Sequence, residues 1–307
     1  MISLKKILPK SIRRNFRYAL CFMPDSAYIK LFYFCATGRR LDLKYPKGFN
    51  EKLNWLKLHD KHEEYNQYVD KYAVRSIIAK ELGEDCLFPL LGKWKSFDEI
   101  SFDNLPNEFV LKCNHDSGSA KIIRDKQLLT DADKTKLRNF YNNRLSKDYY
   151  YASREYSYKG IENRYIIAEE LMKDHEHPEN GIEDYKFYCF NGKPMIMLMV
   201  SDRETDCRFD FYDMEFNHLD IVKRHPNSES VIIKPLLFDR MKEIATKLSK
   251  GMRFVRIDLY QLNGKVYFGE YTFFPGGGFE LFKPDYWEKR LGDWIELPEL
   301  NTVEGHM

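Results

Sequence analysis

The chain has 307 residues, of which 43% are hydrophobic and 15% aromatic, and this composition excludes an intrinsically disordered protein. It contains no uncharged apolar run of about 18 residues and no apolar segment before a small-residue cleavage site, so we expect neither a membrane-spanning helix nor a leader peptide. The net charge of +2 is unevenly spread, because residues 1–47 hold 11 Lys and Arg against 2 Asp and Glu, a balance of +9.

The N-terminal segment, residues 1–48, is predicted to be a basic, aromatic extension with helical character. Its apolar residues recur at helical spacing: Ile7, Leu8, Ile12, Phe16 and Leu20. Pro9 restricts where such a helix begins. Two interpretations remain open: the helix lies on an anionic membrane surface or a lipid-linked substrate, or it packs against the acidic body of its own chain.

Two helices are predicted next, near 50–62 and 67–82, with Gly83 just beyond the end of the second. The segment FVLKCNHDSGSAKII at 109–123 indicates a strand, a polar glycine-containing loop and a second strand.

Thr130 and Asp133 form an N-terminal capping pattern and predict that a helix begins there. The tyrosines of 149–158 are expected in a loop, and RYIIAEELM at 164–172 reads as a strand with an acidic end. A hairpin follows in DYKFYCFNGKPMIMLMVSDR, turning at Asn191-Gly192, and then a helix opened by Pro235. Strands and helices mix without βαβ alternation, so the predicted fold class is α+β.

The most informative segment is a second hairpin, FVRIDLYQLNGKVYFGEYTFFPGGG, which turns at Asn263-Gly264. Arg256 and Asp258 share one face of the first strand, and Glu270 and Thr272 share one face of the second. This is either a polar outer face or a site in which two carboxylates hold a hard cation such as Mg²⁺.

The two carboxylates can share an ion only if they lie on the same face of the hairpin. A two-residue turn pairs Leu262 with Lys265 and therefore places Glu270 opposite Ile257, on the wrong face. An extra residue restores the parity. We therefore predict a three-residue or bulged loop around 262–265.

The six cysteines are scattered and none has metal-ligand spacing, so they are expected to be reduced thiols of a cytoplasmic protein. The eight histidines form no zinc-binding pattern. Three other features occur in order along the chain: Lys112 before the polar loop, Lys186 after the acidic strand end, and the carboxylate hairpin. Glycine loops and lysines bind phosphates, and in this order the features resemble the ATP-grasp superfamily.

The resemblance is closer for one family of that superfamily. DKYAVR at 70–75, LPNEFVLKCNHDSGS, EDYKFYCFNGKP and VRIDLYQLNGKVYFGEYTFFPGGGF are similar to TupA-like ATP-grasp proteins, named for teichuronopeptide biosynthesis, from about residue 45 to the end. The resemblance implies two α+β subdomains that clasp ATP, beyond the basic extension. The implied divisions are a helical region at 49–100, a lid subdomain at 101–172 and a C-terminal subdomain at 173–307.

The resemblance also implies roles for individual residues. Lys112 matches a catalytic and nucleotide-binding strand lysine, Lys71 an earlier phosphate-facing lysine, and Lys186 a later nucleotide lysine. The lid loop over the phosphates and the hinge that binds adenine and ribose match two short runs: Ser117, Gly118 and Ser119, and Glu169, Glu170 and Leu171.

In the carboxylate hairpin, Asp258 and Glu270 match the magnesium ligands, and Arg256 matches a catalytic arginine that stabilises an acylphosphate or oxyanion. Thr272 stands where the superfamily usually has Asn. A hydroxyl can still bind Mg²⁺ or hold a water, so the implied number of ions is one or two.

The implied function is an ATP-dependent carboxylate–amine ligase of capsule or cell-surface polysaccharide synthesis. Its partners would be an amino acid or other amine and a uronic-acid sugar, sugar nucleotide or lipid-linked glycan, with no nucleic acid and with peripheral contact of residues 1–40 at the inner face of the membrane. Two alternatives are a glycosyltransferase, for which Asp131-Ala132-Asp133 has the spelling of a metal motif, and a non-catalytic membrane-associated binding protein. Helix capping explains that motif better.

Overall fold

The computed structural model describes residues 10–173, 182–202 and 205–299. Ile7, Leu8 and Pro9 of the predicted N-terminal helix therefore lie outside the described residues. The fold is α+β, as predicted. Its helices are α1 (Lys10–Ala19), α2 (Asp25–Thr37), α3 (Phe49–His59), α4 (Asn66–Val69), α5 (Val74–Leu82), α6 (Asp131–Leu145), α7 (Tyr150–Ser153), α8 (Phe238–Ser249) and α9 (Tyr286–Asp293).

The strands form two antiparallel sheets. The small sheet has the order β1-β4-β2-β3, from β1 (Leu90–Trp94), β2 (Phe109–Cys113), β3 (Lys121–Ile123) and β4 (Ile166–Glu170). The large sheet has the order β10-β9-β5-β6-β7-β8, from β5 (Asp184–Phe190), β6 (Lys193–Ser201), β7 (Arg208–Tyr212), β8 (His218–Leu219), β9 (Phe254–Leu262) and β10 (Lys265–Thr272).

The large sheet is buried on both faces, and this accounts for much of the aromatic content. One face packs against the apolar side of α8, where Met241 and Ile244 meet Phe187 and Ile257. The opposite face packs against α3 and α9. That second cover is incomplete, and the uncovered part of the face forms one wall of a cleft.

The small sheet packs on α6, which begins where the sequence predicts. The Thr130 hydroxyl accepts a hydrogen bond from the Asp133 N–H at 3.2 Å, and the Asp133 carboxylate accepts one from the Thr130 N–H at 3.4 Å. The buried Tyr141 of this helix donates from its hydroxyl to the Leu111 carbonyl at 2.8 Å. The small sheet and α6 thus pack together, and the sheet forms the second wall of the cleft.

Two sequence predictions are wrong in detail. The helix expected over 67–82 is broken, because the Asp70 carboxylate accepts hydrogen bonds from the N–H groups of Tyr72 at 2.8 Å and Ala73 at 3.0 Å and so holds a turn between α4 and α5. The tyrosine-rich segment 149–158 is not simply a loop, since it contains α7 and a 3₁₀ turn at Tyr156–Tyr158. The division into four parts at 48, 100 and 172 stays a prediction.

Candidate active site

The cleft between the two sheets has a volume of about 850 Å³, within the usual range for a small-molecule site. Both sheets, the 114–120 loop and the segment after β10 line it. All but one of the residues that the sequence singled out lie on its walls: Lys71, Lys112, Ser117, Gly118, Ser119, Glu169, Glu170, Leu171, Lys186, Arg256, Asp258 and Glu270. Thr272 lies just beyond, where its hydroxyl accepts a hydrogen bond from Arg256 at 3.1 Å.

Strand register sets three charged side chains in a row across the large sheet. Glu270 of β10 lies directly opposite Asp258 of β9, which lies opposite Lys186 of β5. Thr272 and Arg256 form the next pair along the hairpin. Opposite residues of antiparallel strands share a face, so the four hairpin side chains form one patch on the cleft side.

The predicted position of the extra residue in this hairpin is wrong. Leu262 pairs with Lys265, so Asn263-Gly264 is a regular two-residue turn. Both turn residues have positive φ, at 50° and 73°. The extra residue is Gly269, a bulge between the pairs that Phe268 and Glu270 make.

Close packing explains why glycine occupies the bulge. A Cβ atom at position 269 would lie 2.8 Å from the Tyr260 ring and 2.9 Å from the Asp258 carbonyl oxygen. The carbonyl belongs to the backbone of the neighbouring strand and cannot rotate away. A glycine inside a strand is a signal for a bulge or a close backbone approach, so the sequence did contain this information.

Asp258 is almost fully buried and is held by two cations. Arg256 donates to its two oxygens from Nε at 2.6 Å and from Nη2 at 2.7 Å, and the Lys186 ammonium also contacts it. Burial alone would raise the pKa of Asp258, but Arg256 and Lys186 outweigh burial and hold that pKa below its ordinary value. The Asp258 carboxylate is therefore ionised at neutral pH.

Lys186 also contacts Asp184, with 2.6 Å between Nζ and Oδ2. Burial would lower the pKa of Lys186, but Asp184 and Asp258 raise it above its ordinary value. The cluster of Arg256, Lys186, Asp184, Asp258 and Glu270 thus carries two positive and three negative charges. A divalent cation would convert this net negative charge into a positive one, which suits a polyphosphate.

Magnesium fits the oxygen groups of this patch. Glu270 is about half exposed, and one of its oxygens accepts a hydrogen bond from Thr272 at 3.2 Å. Among the described residues no group of three or more His, Cys, Asp or Glu side chains could hold a metal. Magnesium commonly takes only one or two protein carboxylates and completes its shell with water and phosphate oxygens, so two carboxylates and a hydroxyl are sufficient.

On the opposite wall, the Lys112 ammonium forms an ion pair with Glu169, a residue of the predicted hinge. Arg75 also reaches Glu169, at 3.4 Å between Nη1 and Oε1, and donates to the Phe88 carbonyl at 2.9 Å. Arg75 was not among the predicted site residues, although it ends the DKYAVR motif. Its position on α5 ties the helical region to the hinge.

The loop that connects β2 to β3 is held in place by a side chain of α6. Arg144 of α6 is buried, forms an ion pair with Asp116, and donates to the carbonyls of Ser117 at 3.3 Å and Gly118 at 2.8 Å. The Lys71 ammonium donates to the Asp116 carbonyl. The carbonyls of the exposed Ser117 and Gly118 are therefore engaged by Arg144. Sequence reasoning missed Arg144, which carries no local signal.

The Asp131-Ala132-Asp133 motif lies at the first turn of α6, where Asp133 caps the helix, and it does not line the cleft. This placement removes the main sequence feature that favoured a glycosyltransferase.

Comparison with known proteins identifies a family. The family model described as TupA-like ATPgrasp matches residues 51–296. Among solved structures, D-alanine–D-alanine ligase from Bacillus anthracis is 17% identical over 81% of this chain and 69% of its own, with a TM-score of 0.41. The D-alanine–D-alanine ligase from Helicobacter pylori is 14% identical over 81% of this chain and 69% of its own, with a TM-score of 0.40. The ATP-grasp ligase PsnB complexed with a minimal precursor is 10% identical over 76% of this chain and 60% of its own, with a TM-score of 0.37. No curated protein matches the sequence.

Proposed function

The chain belongs to the TupA-like ATP-grasp family, and from this premise we propose that it is an ATP-dependent carboxylate–amine ligase. The observation that carries the proposal is the row of Glu270, Asp258 and Lys186 on one wall of a cleft whose other wall presents Lys112. A row of this kind can hold a metal–triphosphate between two sheets.

The proposed reaction has two steps. A carboxylate oxygen of the first substrate attacks the γ-phosphorus of ATP, and the bond to the β–γ bridging oxygen breaks to release ADP. The amine nitrogen of the second substrate then attacks the acyl carbon, the carbon–oxygen bond to phosphate breaks, and the nitrogen loses a proton. The products are an amide, ADP and phosphate.

Each step is served by charges already placed in the cleft. Lys112 and Lys186 bind phosphate oxygens, the 117–119 loop covers them, and the hinge at 169–171 binds adenine and ribose. Asp258, Glu270 and Thr272 would hold Mg²⁺, which would neutralise charge on the β- and γ-phosphates. Arg256, fixed by Asp258, faces the same patch and stabilises the oxyanion of the second step.

The substrate class follows from the family's connection with teichuronopeptide synthesis. We propose that an amino acid is joined to a uronic-acid sugar, carried on a nucleotide or a lipid, for capsule or cell-surface polysaccharide. No nucleic acid takes part.

A carboxylate-neutralising experiment tests the ligase proposal. Purified protein is incubated with ATP, Mg²⁺, mixed uronic acids and mixed amino acids, and ADP release is measured. We expect Asp258→Asn and Glu270→Gln to abolish amine-dependent ADP release while the free energy of unfolding stays measurable by denaturant titration. Glu215→Gln, an exposed carboxylate outside the cleft, is the matched control. Undiminished ADP release by both cleft variants would overturn the proposal.

We also propose that the N-terminal region rests on an anionic membrane surface. Tyr28, Ile29 and Tyr33 bury one side of α2, while the other side exposes Leu31 and Phe34. Phe22 is 78% exposed beside them. Exposed apolar side chains next to a basic segment suit an interfacial position.

The alternative interpretation, that this segment packs against its own chain, also has support. Arg17 lies 5.0 Å from the Phe32 ring, and Arg154 donates to the Leu20 carbonyl at 2.8 Å. Acidic side chains take part as well, since Arg154 pairs with Asp25 at 3.3 Å and Arg17 interacts electrostatically with Glu155. None of the described helices is long and apolar enough to span a bilayer.

Sedimentation with anionic and neutral vesicles tests the membrane proposal. Binding should require anionic lipid, weaken with salt, and fall in a Phe22→Ser, Phe34→Ser double variant but not in Leu236→Ser, an exposed leucine outside the N-terminal region. Equal binding of all three proteins, or none, would contradict it.

A further inference from the structure

One end of the cleft carries both signs of charge and has no role in the scheme above. Lys223 and Arg224, which follow β8, line it together with Glu280, which follows the glycine turn after β10. We call these three residues the mixed-charge strip.

A short backbone bridge fixes the two segments of the strip side by side. The Val222 N–H donates to the Lys283 carbonyl at 2.8 Å, and the Lys283 N–H donates back to the Val222 carbonyl at 2.9 Å. The two segments run antiparallel, so Lys223 lies beside Phe282 and Arg224 lies beside Leu281. The three charges therefore belong to one small wall rather than to separate loops.

Lys223 is half-buried, and its ammonium packs against aromatic rings, with the buried Glu288 carboxylate near enough to interact with it electrostatically. The Nζ atom lies 4.3 Å from the centre of the Phe282 ring and 5.8 Å from that of Tyr188, and both rings are buried. In the described part of the chain neither Lys223 nor Arg224 forms an ion pair. Cation–π contact stabilises the charge without neutralising it, so the ammonium can still attract an anion.

The same contact places Lys223 close to the reaction centre. Tyr188 pairs with Arg256 across β5 and β9, so the ring under Lys223 adjoins the arginine that fixes Asp258. A ligand anchored on Lys223 would therefore lie on the same face of the large sheet as the metal patch.

Glu280 is held against the glycine turn. Gly276 has φ of +63°, and a Cβ there would lie 2.8 Å from Cγ, Cδ and Oε2 of Glu280. Glycine thus serves both the backbone conformation and the side-chain contact. Within the described residues the Glu280 carboxylate forms no ion pair, although it is only partly exposed.

We propose that the mixed-charge strip binds the amine substrate as a free amino acid. Lys223 and Arg224 pair with its carboxylate, and Glu280 pairs with its ammonium before the proton is lost. The proposal rests on the proposed ligase function and assigns the residues that bind its amino-acid substrate. An amine without a carboxylate would need only Glu280, and a sugar phosphate would need only Lys223 and Arg224. A zwitterionic amino acid uses all three residues.

The test compares an amino acid with its own amide, which lacks the carboxylate. Wild-type protein is first screened with the common amino acids for ADP release in the presence of ATP, Mg²⁺ and mixed uronic acids, and the best amino acid and its amide are then titrated. Lys223→Met and Arg224→Gln should raise KM for the amino acid about tenfold or more, because a charge-assisted hydrogen bond is lost. Their KM for the amide should not change.

Glu280→Gln should raise KM for both compounds, since both carry the ammonium. Lys223→Arg should retain most of the affinity for the amino acid. Lys283→Met, which changes an exposed lysine on the neighbouring segment, should behave as wild type. ATP affinity should be unaltered in every variant, which also shows that each is folded.

Unchanged KM values in the Lys223 and Arg224 variants would overturn the strip proposal while leaving the ligase proposal intact. So would a parallel rise for the amide, which would indicate a structural role or a sugar phosphate at the strip. If the wild-type protein releases no ADP with any mixture, the ligase proposal fails. The strip is then tested by thermal shift of the ADP-loaded protein with the same amino acids, and no shift would overturn it as well.

Discussion

Replacing Gly269 by alanine tests the bulge on which the candidate metal site depends. The new methyl group would lie 2.8 Å from the Tyr260 ring and 2.9 Å from the Asp258 carbonyl oxygen, closer than carbon atoms normally approach either group. The ring can shift, but the carbonyl is part of β9. The strand pair must therefore open locally or lose the bulge.

The expected cost is moderate for stability and larger for function. Overpacking of this kind costs about 1–3 kcal/mol, and the lower entropy of the unfolded alanine chain offsets about 0.4–1 kcal/mol of it. We expect a net loss of about 1–2 kcal/mol. If the chain instead slips by one residue, Glu270 moves opposite Ile257 and faces the core under α8.

Urea unfolding and calorimetric titration with Mg·ATP check both effects. Gly48→Ala is the matched control, because Gly48 has φ of −77° and its Cβ would meet nothing closer than 3.5 Å. That control should lose at most about 1 kcal/mol as a helix-capping change and should bind Mg·ATP normally. A Gly269→Ala variant as stable as the wild type and with unchanged Mg·ATP affinity would refute the role given to the bulge.

Three further results are expected. Lys112→Ala and Lys186→Ala should each weaken ATP binding about tenfold to a hundredfold by calorimetry, because each loses a charge-assisted contact, whereas Lys121→Ala, on the small sheet with Lys112, should not. Arg144→Met should lower the free energy of unfolding by about 3–5 kcal/mol in denaturant titration, because it leaves the buried Asp116 carboxylate unpaired. It should also increase hydrogen exchange in the 114–120 loop, and unchanged exchange would count against the anchoring role. Burial, opposed by Lys57 and Arg17, raises the pKa of Glu155 from 4.5 to about 7, so the folded state holds this proton more tightly and the free energy of unfolding should fall as pH rises across that interval. Glu155→Gln should make that decline shallower, the remainder coming from Glu288, whose pKa is also raised by burial. An identical pH profile would contradict the assignment.

Local signals predicted the hairpins well. Asn191-Gly192 and Asn263-Gly264 both adopt positive φ, as a two-residue hairpin turn requires, and each pairs its flanking residues directly. The error over the loop at 262–265 had a physical cause. The parity argument required one extra residue, but it could not choose between the turn and the strand interior, where Gly269 meets Tyr260.

Packing over long sequence separations could not be predicted. Arg75 and Glu169 are 94 residues apart, and Arg144 and Asp116 are 28 apart, so no periodicity connects them. No amphipathic period marks α2 in the sequence either, because its apolar residues lie on more than one side of the helix. Charged and polar site residues on strands and loops could be predicted from the sequence. Arg75 and Arg144, which form ion pairs with Glu169 and Asp116, became apparent only in the fold.

The central claim is that this cleft transfers the γ-phosphoryl group of ATP to a carboxylate. The most direct measurement uses uronic acids labelled with ¹⁸O in the carboxylate, incubated with ATP, Mg²⁺ and amino acids, followed by mass analysis of the released phosphate. One ¹⁸O atom in each phosphate, with ADP as the other product and none of this in Asp258→Asn, is the predicted result. Unlabelled phosphate, or AMP and pyrophosphate in place of ADP, would contradict it.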